Sequence, residues 1–377
     1  MVAILSGLPA GLRVDFEYVA RELKRRQGGY GRGGRMKIES DTAQFLSGVR
    51  HGRTMGSPIT LLISNQDWEN WKEALAVEES PETRAQHKPL TRPRPGHADL
   101  AGCLKYNFPE ARYVLERASA RETAARVAAG ALAKLFLREF GVEVASHVVA
   151  VGSVALGSEP VSFEEVLALR AAEDIVLGCV DPAVEARMKE EVDKALEARD
   201  TVGGTFEVIA HGVPPGLGSA AQWDERLDGQ LAQAVMSIQA VKAVEIGGGI
   251  GGASRPGSQV HDEIGYDREA SHFTRKSNRA GGLEGGISNG EDIVVRGYLK
   301  PISTLRRPLE SVDFETRETV KAAYERSDVC VVPAAAVVGE AMVALTLSRS
   351  WLEKFGGDSM GETQRNYLAY KEQVRQF

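Results

Sequence analysis

Residues Thr91–Gly141, TRPRPGHADLAGCLKYNFPEARYVLERASARETAARVAAGALAKLFLREFG, decide how this chain is built. The second half marks the start and stop of a helix. Ser119 followed three residues later by Glu122 reads as a capping box, which makes Ser119 the N-cap. Val127, Ala131 and Leu135, with Ala128, Leu132 and Phe136, recur at helical spacing, and Gly141 supplies the stop. The predicted helix, Ala120–Phe140, is roughly 31 Å long at 1.5 Å per residue. Its alanine-rich stripe lets a neighbouring backbone approach closely, which predicts a core helix. Its first turn would present free N–H groups beside Arg117 and Arg121, an arrangement suited to an anion; a solvated helix end carrying surface arginines is the alternative. In the first half, Pro95-Gly96 precedes His97 and Asp99 follows it. That pattern predicts a rigid loop with a carboxylate in reach of the imidazole, able to hold one tautomer or raise its proton affinity. The plainer alternative is a histidine on a surface loop.

The totals bound what surrounds this stretch. The chain has 377 residues, 43% hydrophobic and 26% charged, ordinary values for a globular protein. Its net charge, 46 − 52 = −6, argues against a generally basic nucleic-acid-binding surface. The charge is uneven, however. Residues 21–37 hold seven Lys/Arg against Glu22 alone, net +6, and residues 84–126 hold nine against four, net +5. Two positive islands in an acidic chain predict a focused pocket for a small polyanion. Cys103, Cys179 and Cys330 are odd in number and widely spaced, which fits a reducing compartment and neither a disulfide framework nor a zinc site. No HxxxH or HExxH pair occurs, so no metal site is expected. The first twelve residues lack the charged start of a signal peptide and the length of a span, so no membrane segment is expected and the cytoplasm follows by default.

Along the chain, Val2–Leu5 reads as the end of a strand, Val142–Leu156 is β-rich, and Ser57–Ser64, Gly204–Val213, Val244–Ile246 and Ile293–Leu299 read as strands. Asp15 caps a helix from Phe16 to about Arg26, Ser162 and Glu165 form a second capping box, and Asp181-Pro182 opens a helix to about Arg199. Asp67–Val77 is a short helix or lid. Asp224–Lys242 and Ala334–Phe355 are helical, and Glu362–Phe377 is an amphipathic tail. Gly247–Gly290 has little periodicity and reads as a long functional loop. Helices and strands mix without strict alternation, which favours an α+β fold over a doubly wound sheet. Two GxGxxG matches fail as dinucleotide sites. Gly29–Gly34 follows a helix, and Gly247–Gly252 leads into Pro256 and a polar loop where a helix should begin. His261-Asp262-Glu263 repeats the histidine–carboxylate pattern, with a loop-stabilising contact the better reading. Arg326-Ser327-Asp328 offers an ion pair before an apolar run, and Lys300–Thr304, KPIST, ends a strand with a cation and two hydroxyls suited to a phosphate.

Taken together these segments resemble chorismate synthase. The match runs through nearly the whole chain: RRQGGYGRGGRMKIE (Arg25–Glu39), SGVRHGRTMGSP (Ser47–Pro58), DWENW (Asp67–Trp71), TRPRPGHADL (Thr91–Leu100), ERASARETAARVAAGAL (Glu116–Leu132), PPGLGS (Pro214–Ser219), MSIQAVKAVEIG (Met236–Gly247), GSQVHDE (Gly257–Glu263), GGLEGGISNG (Gly281–Gly290), KPISTL (Lys300–Leu305) and RSDVCVVPAAAVVGEAM (Arg326–Met342). The resemblance implies a single domain over 1–377, a β-α-β sandwich with core helices between antiparallel sheets, assembled as a homotetramer. It implies conversion of 5-enolpyruvylshikimate 3-phosphate to chorismate and phosphate with reduced FMN. By the family pattern Arg117, Ala118, Ser119, Gln239, Ala240, Gly285, Lys300, Pro301, Ile302, Ser303, Thr304 and Arg326 line the flavin site. Arg26 and Arg32 match positions for an anionic ligand described as NADPH. His97 matches a histidine at the reduced flavin, and Asp328 an aspartate that helps the flavin accept the C-6 proton. No appended reductase domain is evident, so an external source of reduced flavin is expected.

One departure bears on activity. Family members carry a Gly-Glu-Ser-His-Gly motif on a strand upstream of the segment matching Ala3–Gly11, and that motif is absent here. A late-called start is the favoured explanation, and a natural, impaired, flavin-binding variant is the other. The segment Gly247–Pro256 is also more glycine-rich than the family usually shows.

Overall fold

The computed structural model describes residues 1–33, 41–73, 75–78, 89–170, 176–269, 272–325 and 327–377. Two antiparallel sheets enclose a helical layer, the sandwich expected from the resemblance. The smaller sheet contains β1 (Val2–Leu5), β2 (Ala43–Phe45) and β3 (Ile59–Ile63), in the order β1-β3-β2. The larger contains β4 (Glu143–Val151), β5 (Val154–Ala155), β6 (Gly204–His211), β7 (Val241–Ile246) and β8 (Ile293–Leu299), in the order β5-β4-β6-β8-β7. Between them run α1 (Phe16–Gln27), α2 (Thr123–Arg138) and α3 (Val332–Phe355). Helix α2 touches β1 and β3 on one side, and α3 touches β4 and β6 on the other.

The strands obey the period-two rule. Ile59, Leu61 and Ile63 of β3 face the helices, each at most 1% exposed, while Thr60 and Leu62 are half-buried. Small residues set how closely the layers approach. A Cβ added to Gly130 on α2 would lie 2.3 Å from Ala341 Cβ on α3, so that helix crossing depends on the missing side chain. The Phe206 ring on β6 lies between Gly297 on β8 and Gly339 on α3, where added methyl carbons would come within 2.4 and 2.5 Å of it. Helix α3 is long and apolar enough to cross a membrane, but 72% of its most apolar window is buried inside the fold.

The core also holds charge. Glu340 of α3 is fully buried and accepts from both Arg25 terminal nitrogens at 2.9 and 2.7 Å, from Arg170 at 2.7 Å, from Ser146 Oγ at 2.6 Å and from Lys134. Glu22 shares Arg25 and Lys134. Burial opposes ionisation of Glu340, yet the surrounding cations hold its carboxyl well below the usual range.

Several expected elements differ in their bounds. The helix predicted over Ala120–Phe140 is a 3₁₀ turn, Ala120–Glu122, followed by α2 from Thr123 to Arg138. Ser119 does cap, accepting from Arg121 N–H, but the box does not close. Glu122 instead accepts from Arg126, four residues on, at 3.1 Å and from the distant Gln239 Nε2 at 2.5 Å, and these partners take the place of its own N-cap. Arg117 therefore sits in the last turn of a separate helix, Arg112–Ala118, rather than beside a long helix's first turn. The helix predicted over 224–242 ends at Met236, and Ala240, at φ 69°, turns the chain into β7. The stretch expected as an aperiodic loop, 247–290, contains the hairpins Ile264–Asp267/His272–Arg275 and Leu283–Glu284/Ile287–Ser288. Asp262 accepts from Ser277 Oγ and from Arg279 and Ala280 N–H, which is the loop-stabilising role expected for that motif.

Candidate active site

The His97 loop follows from its sequence. His97 N–H bonds back to Arg94 O at 3.2 Å, closing a four-residue turn with Pro95 second and Gly96 third. Gly96 has φ +76°, a conformation that glycine adopts at no steric cost at that turn position. The turn delivers His97 to Asp99, the first residue of the helix Asp99–Tyr106. His97 Nδ1 lies 2.5 Å from Asp99 Oδ1, and the Asp99 side chain is fully buried. Arg94 clamps the same carboxylate. Its Nε and Nη2 donate to Oδ2 and Oδ1 at 2.9 and 3.1 Å, and its backbone N–H to Oδ2 at 3.0 Å. Burial alone would raise the Asp99 carboxyl; the hydrogen bonds from His97 and Arg94 prevail and hold it well below the usual carboxylate range.

The segment Lys300–Thr304 leaves the end of β8. A register shift between Tyr298 and Leu299 re-aims the chain there, and Lys300 N–H still bonds Ala240 O at 3.0 Å. Lys300 Nζ donates to Gly96 O at 3.1 Å, and Thr304 Oγ1 accepts from Arg94 Nη1 at 2.9 Å. The His97 turn is thus fastened to Lys300–Thr304 at two points. Burial, then the neighbouring Lys242, holds the Lys300 ammonium below the usual lysine range.

The remaining residues continue from these. Gln239, beside Ala240, reaches Glu122 next to Ala118 and Ser119; its Oε1 is buried with no hydrogen-bond partner among the described residues. In the same turn Arg121 bonds Asp41 Oδ1 at 2.6 Å. Arg26 bonds Asp41 Oδ2 at 2.7 Å and Thr123 Oγ1 at 3.1 Å, and is only 4% exposed. On the other side Thr201 Oγ1 donates to Ile302 O, and Val202 N–H donates to Val329 O. Next to Val329, Asp328 Oδ1 accepts from Gly33 N–H at 2.6 Å, with Arg32 Nη1 at 3.4 Å from Oδ2. Arg26, Gln239, Ala240, Lys300–Thr304, His97, Asp328 and Arg32 therefore lie along one continuous chain of contacts that returns to the α1 end of the molecule. Arg117 is exposed without an ion pair among the described residues. Gly285, at φ +61° in the Leu283–Ser288 hairpin, has no described neighbour within 4 Å of an added Cβ. Arg326 lies outside the described residues.

Within this region Asp41, Asp99, Asp328 and Glu122 each face an arginine, while Lys300 has no carboxylate partner among the described residues. Two surface clefts lie elsewhere. One of about 270 Å³ is lined by His261, Asp262, Arg279 and Glu284, and one of about 460 Å³ by Leu5, Leu8, Leu345 and Leu352. Neither gathers cations around an acid–base group. Arg94 and Asp41 are site residues that the sequence reading did not single out. Arg94 was readable in principle, since a Pro-Gly turn brings the residue before it back toward Asp99; Asp41 meets its arginines only through long-range packing.

Comparison with known proteins agrees with the fold. A family model described as chorismate synthase matches residues 1–352. The chorismate synthase of Koribacter versatilis is 64% identical over 381 residues, covering 100% of this chain and 96% of that protein. That of Aquifex aeolicus is 54% identical over 383 residues, with the same coverages. A crystal structure of chorismate synthase, 42% identical, superposes with a TM-score of 0.79 over 100% of this chain and 95% of that one. These matches define a phosphate-lyase of the shikimate pathway. The chain belongs to the chorismate synthase family.

Proposed function

We propose that the chain converts 5-enolpyruvylshikimate 3-phosphate to chorismate and inorganic phosphate by an anti-1,4-elimination that requires reduced FMN. A C–H bond at C-6 and the C–O bond to phosphate at C-3 break, a new double bond forms, and there is no net oxidation. The observation that carries this reading is the fastening of an oriented histidine–aspartate pair to Lys300, a cation without a carboxylate partner among the described residues. When bound, reduced FMN supplies transient electron density that eases the departure of phosphate.

The residues present fit that group. The buried, unsatisfied Gln239 Oε1 suits a ring N–H, and Lys300 with the Ser303 hydroxyl suits its phosphate. Arg117, Ala118, Ser119, Gln239, Ala240, Gly285, Lys300, Pro301, Ile302, Ser303, Thr304 and Arg326 are the proposed lining. His97, oriented by Asp99, takes up and releases a proton at Nε2. Asp328, held by Gly33 N–H and Arg32, relays the proton lost from C-6. Arg26 and Arg32 belong to the proposed anion-binding set. Arg26 would have to exchange Asp41 or Thr123 for a ligand, so NADPH acts as an indirect reductant through an external flavin reductase. The whole chain acts as one domain, in a cytoplasmic homotetramer.

An anaerobic assay with chemically reduced FMN tests this. Chorismate and phosphate should appear one to one with no net flavin oxidation; one flavin oxidised per product would refute it.

A further inference from the structure

We propose that Arg94 is the positioning residue for His97: it sets which imidazole nitrogen carries the proton and couples that setting to the Lys300–Thr304 segment. The proposal rests on the reading of His97 as the site's acid–base group. Arg94 is 7% exposed, so its charge acts inside the protein. Its guanidinium is engaged on three sides. Nε and Nη2 grip the two Asp99 oxygens side-on at 2.9 and 3.1 Å, an arrangement that fixes the plane of the carboxylate as well as its position. Nη1 donates to Thr304 Oγ1 at 2.9 Å. With Oδ2 further held by the Arg94 backbone N–H, Oδ1 is the oxygen left for His97, and Nδ1 approaches it at 2.5 Å. An ionised carboxylate only accepts, so Nδ1 carries the hydrogen and Nε2 is the nitrogen left to take up or release a proton.

Arg94 Nη2 lies 3.2 and 3.3 Å from the two imidazole nitrogens. The guanidinium therefore touches the ring as well as the carboxylate that orients it. A lysine would keep the charge and lose the planar fork, and a glutamine would lose the charge as well. The coupling runs through Thr304, which is 9% exposed, while Lys300 Nζ holds Gly96 O on the other side of the turn. A shift of the segment therefore moves the histidine's support.

The test is nitrogen-15 NMR of the full chain with labelled histidine, free of substrate and cofactor, with His97 assigned from its loss in His97→Asn. The wild-type protein should show His97 fixed with hydrogen on Nδ1. Arg94→Lys and Arg94→Gln should both shift His97 to a mixture of tautomers, and Thr304→Val should do so to a smaller degree. In turnover, both Arg94 variants should lose about 10²-fold in kcat while KM stays within about threefold. Should the glutamine variant melt early by circular dichroism, the lysine variant decides. The proposal is overturned if Arg94→Lys leaves His97 wholly in the wild-type tautomer, or if KM rises more than about tenfold at unchanged kcat, the mark of a ligand-binding group. The NMR result needs no turnover, so it stands whether or not the proposed reaction is found.

Discussion

At the scale of single residues, the account turns on His97 and the carboxylate behind it. Replacing His97 by Asn should lower turnover by about 10²–10⁴-fold while changing reduced-FMN affinity little, as read by steady-state rates and anaerobic titration. An equal loss in both would make His97 a cofactor support and no proton carrier. Asp99 also has a stability signature. Its folded-state affinity for a proton lies below that of an unfolded aspartate, so its contribution is full above the ordinary carboxyl pKa of about 3.9 and is lost as pH falls below that value. Denaturant midpoints of wild type and Asp99→Asn should therefore differ at pH 6 and draw together as pH falls from about 4 toward 2. A gap that stayed constant over that range would contradict the assignment. The histidine–aspartate pair was legible because His97 and Asp99 are two residues apart, and the Pro-Gly turn is a local signal. The Asp41 bridge between Arg26 and Arg121 was not, since its partners come from different parts of the chain.

At the scale of elements, two buried features should dominate stability. Glu340 on α3 compensates Arg25, Lys134 and Arg170 at once. Glu340→Gln leaves these cations short of a buried anion, and breaking such a network typically costs about 3–5 kcal/mol, readable as a large fall in the urea midpoint. A loss under about 1 kcal/mol would show that water reaches the cluster. Gly130→Val should drive α2 from α3, since even its Cβ would meet Ala341 at 2.3 Å, at a cost of about 1–3 kcal/mol or more. Element identity was most readable where the signal is local. Ile293–Leu299 matches its predicted bounds, and the caps at Asp15, Ser162 and Asp181 all form. It failed where tertiary partners override local chemistry. Glu122 leaves the Ser119 box for its neighbour Arg126 and the distant Gln239, and the helices Asp99–Tyr106 and Arg112–Ala118 were not predicted.

At the scale of the whole molecule, the sheet–helix–sheet layering holds the ends of α1, α2 and β8 near one another, and the charged residues follow. The proposed homotetramer is checked by sedimentation equilibrium, which should give four times the chain mass; a monomer at micromolar concentration would contradict it. The central claim is that residues distant in sequence form one anion-holding site around His97. The most direct test is a crystal structure of the chain with FMN and 5-enolpyruvylshikimate 3-phosphate bound. The account predicts both molecules together, with Lys300 and Ser303 against the cofactor phosphate, His97 Nε2 facing the bound pair and the substrate anions on the arginines. Cofactor or substrate seated instead in the His261–Arg279 cleft, with His97 and Lys300 untouched, would contradict it.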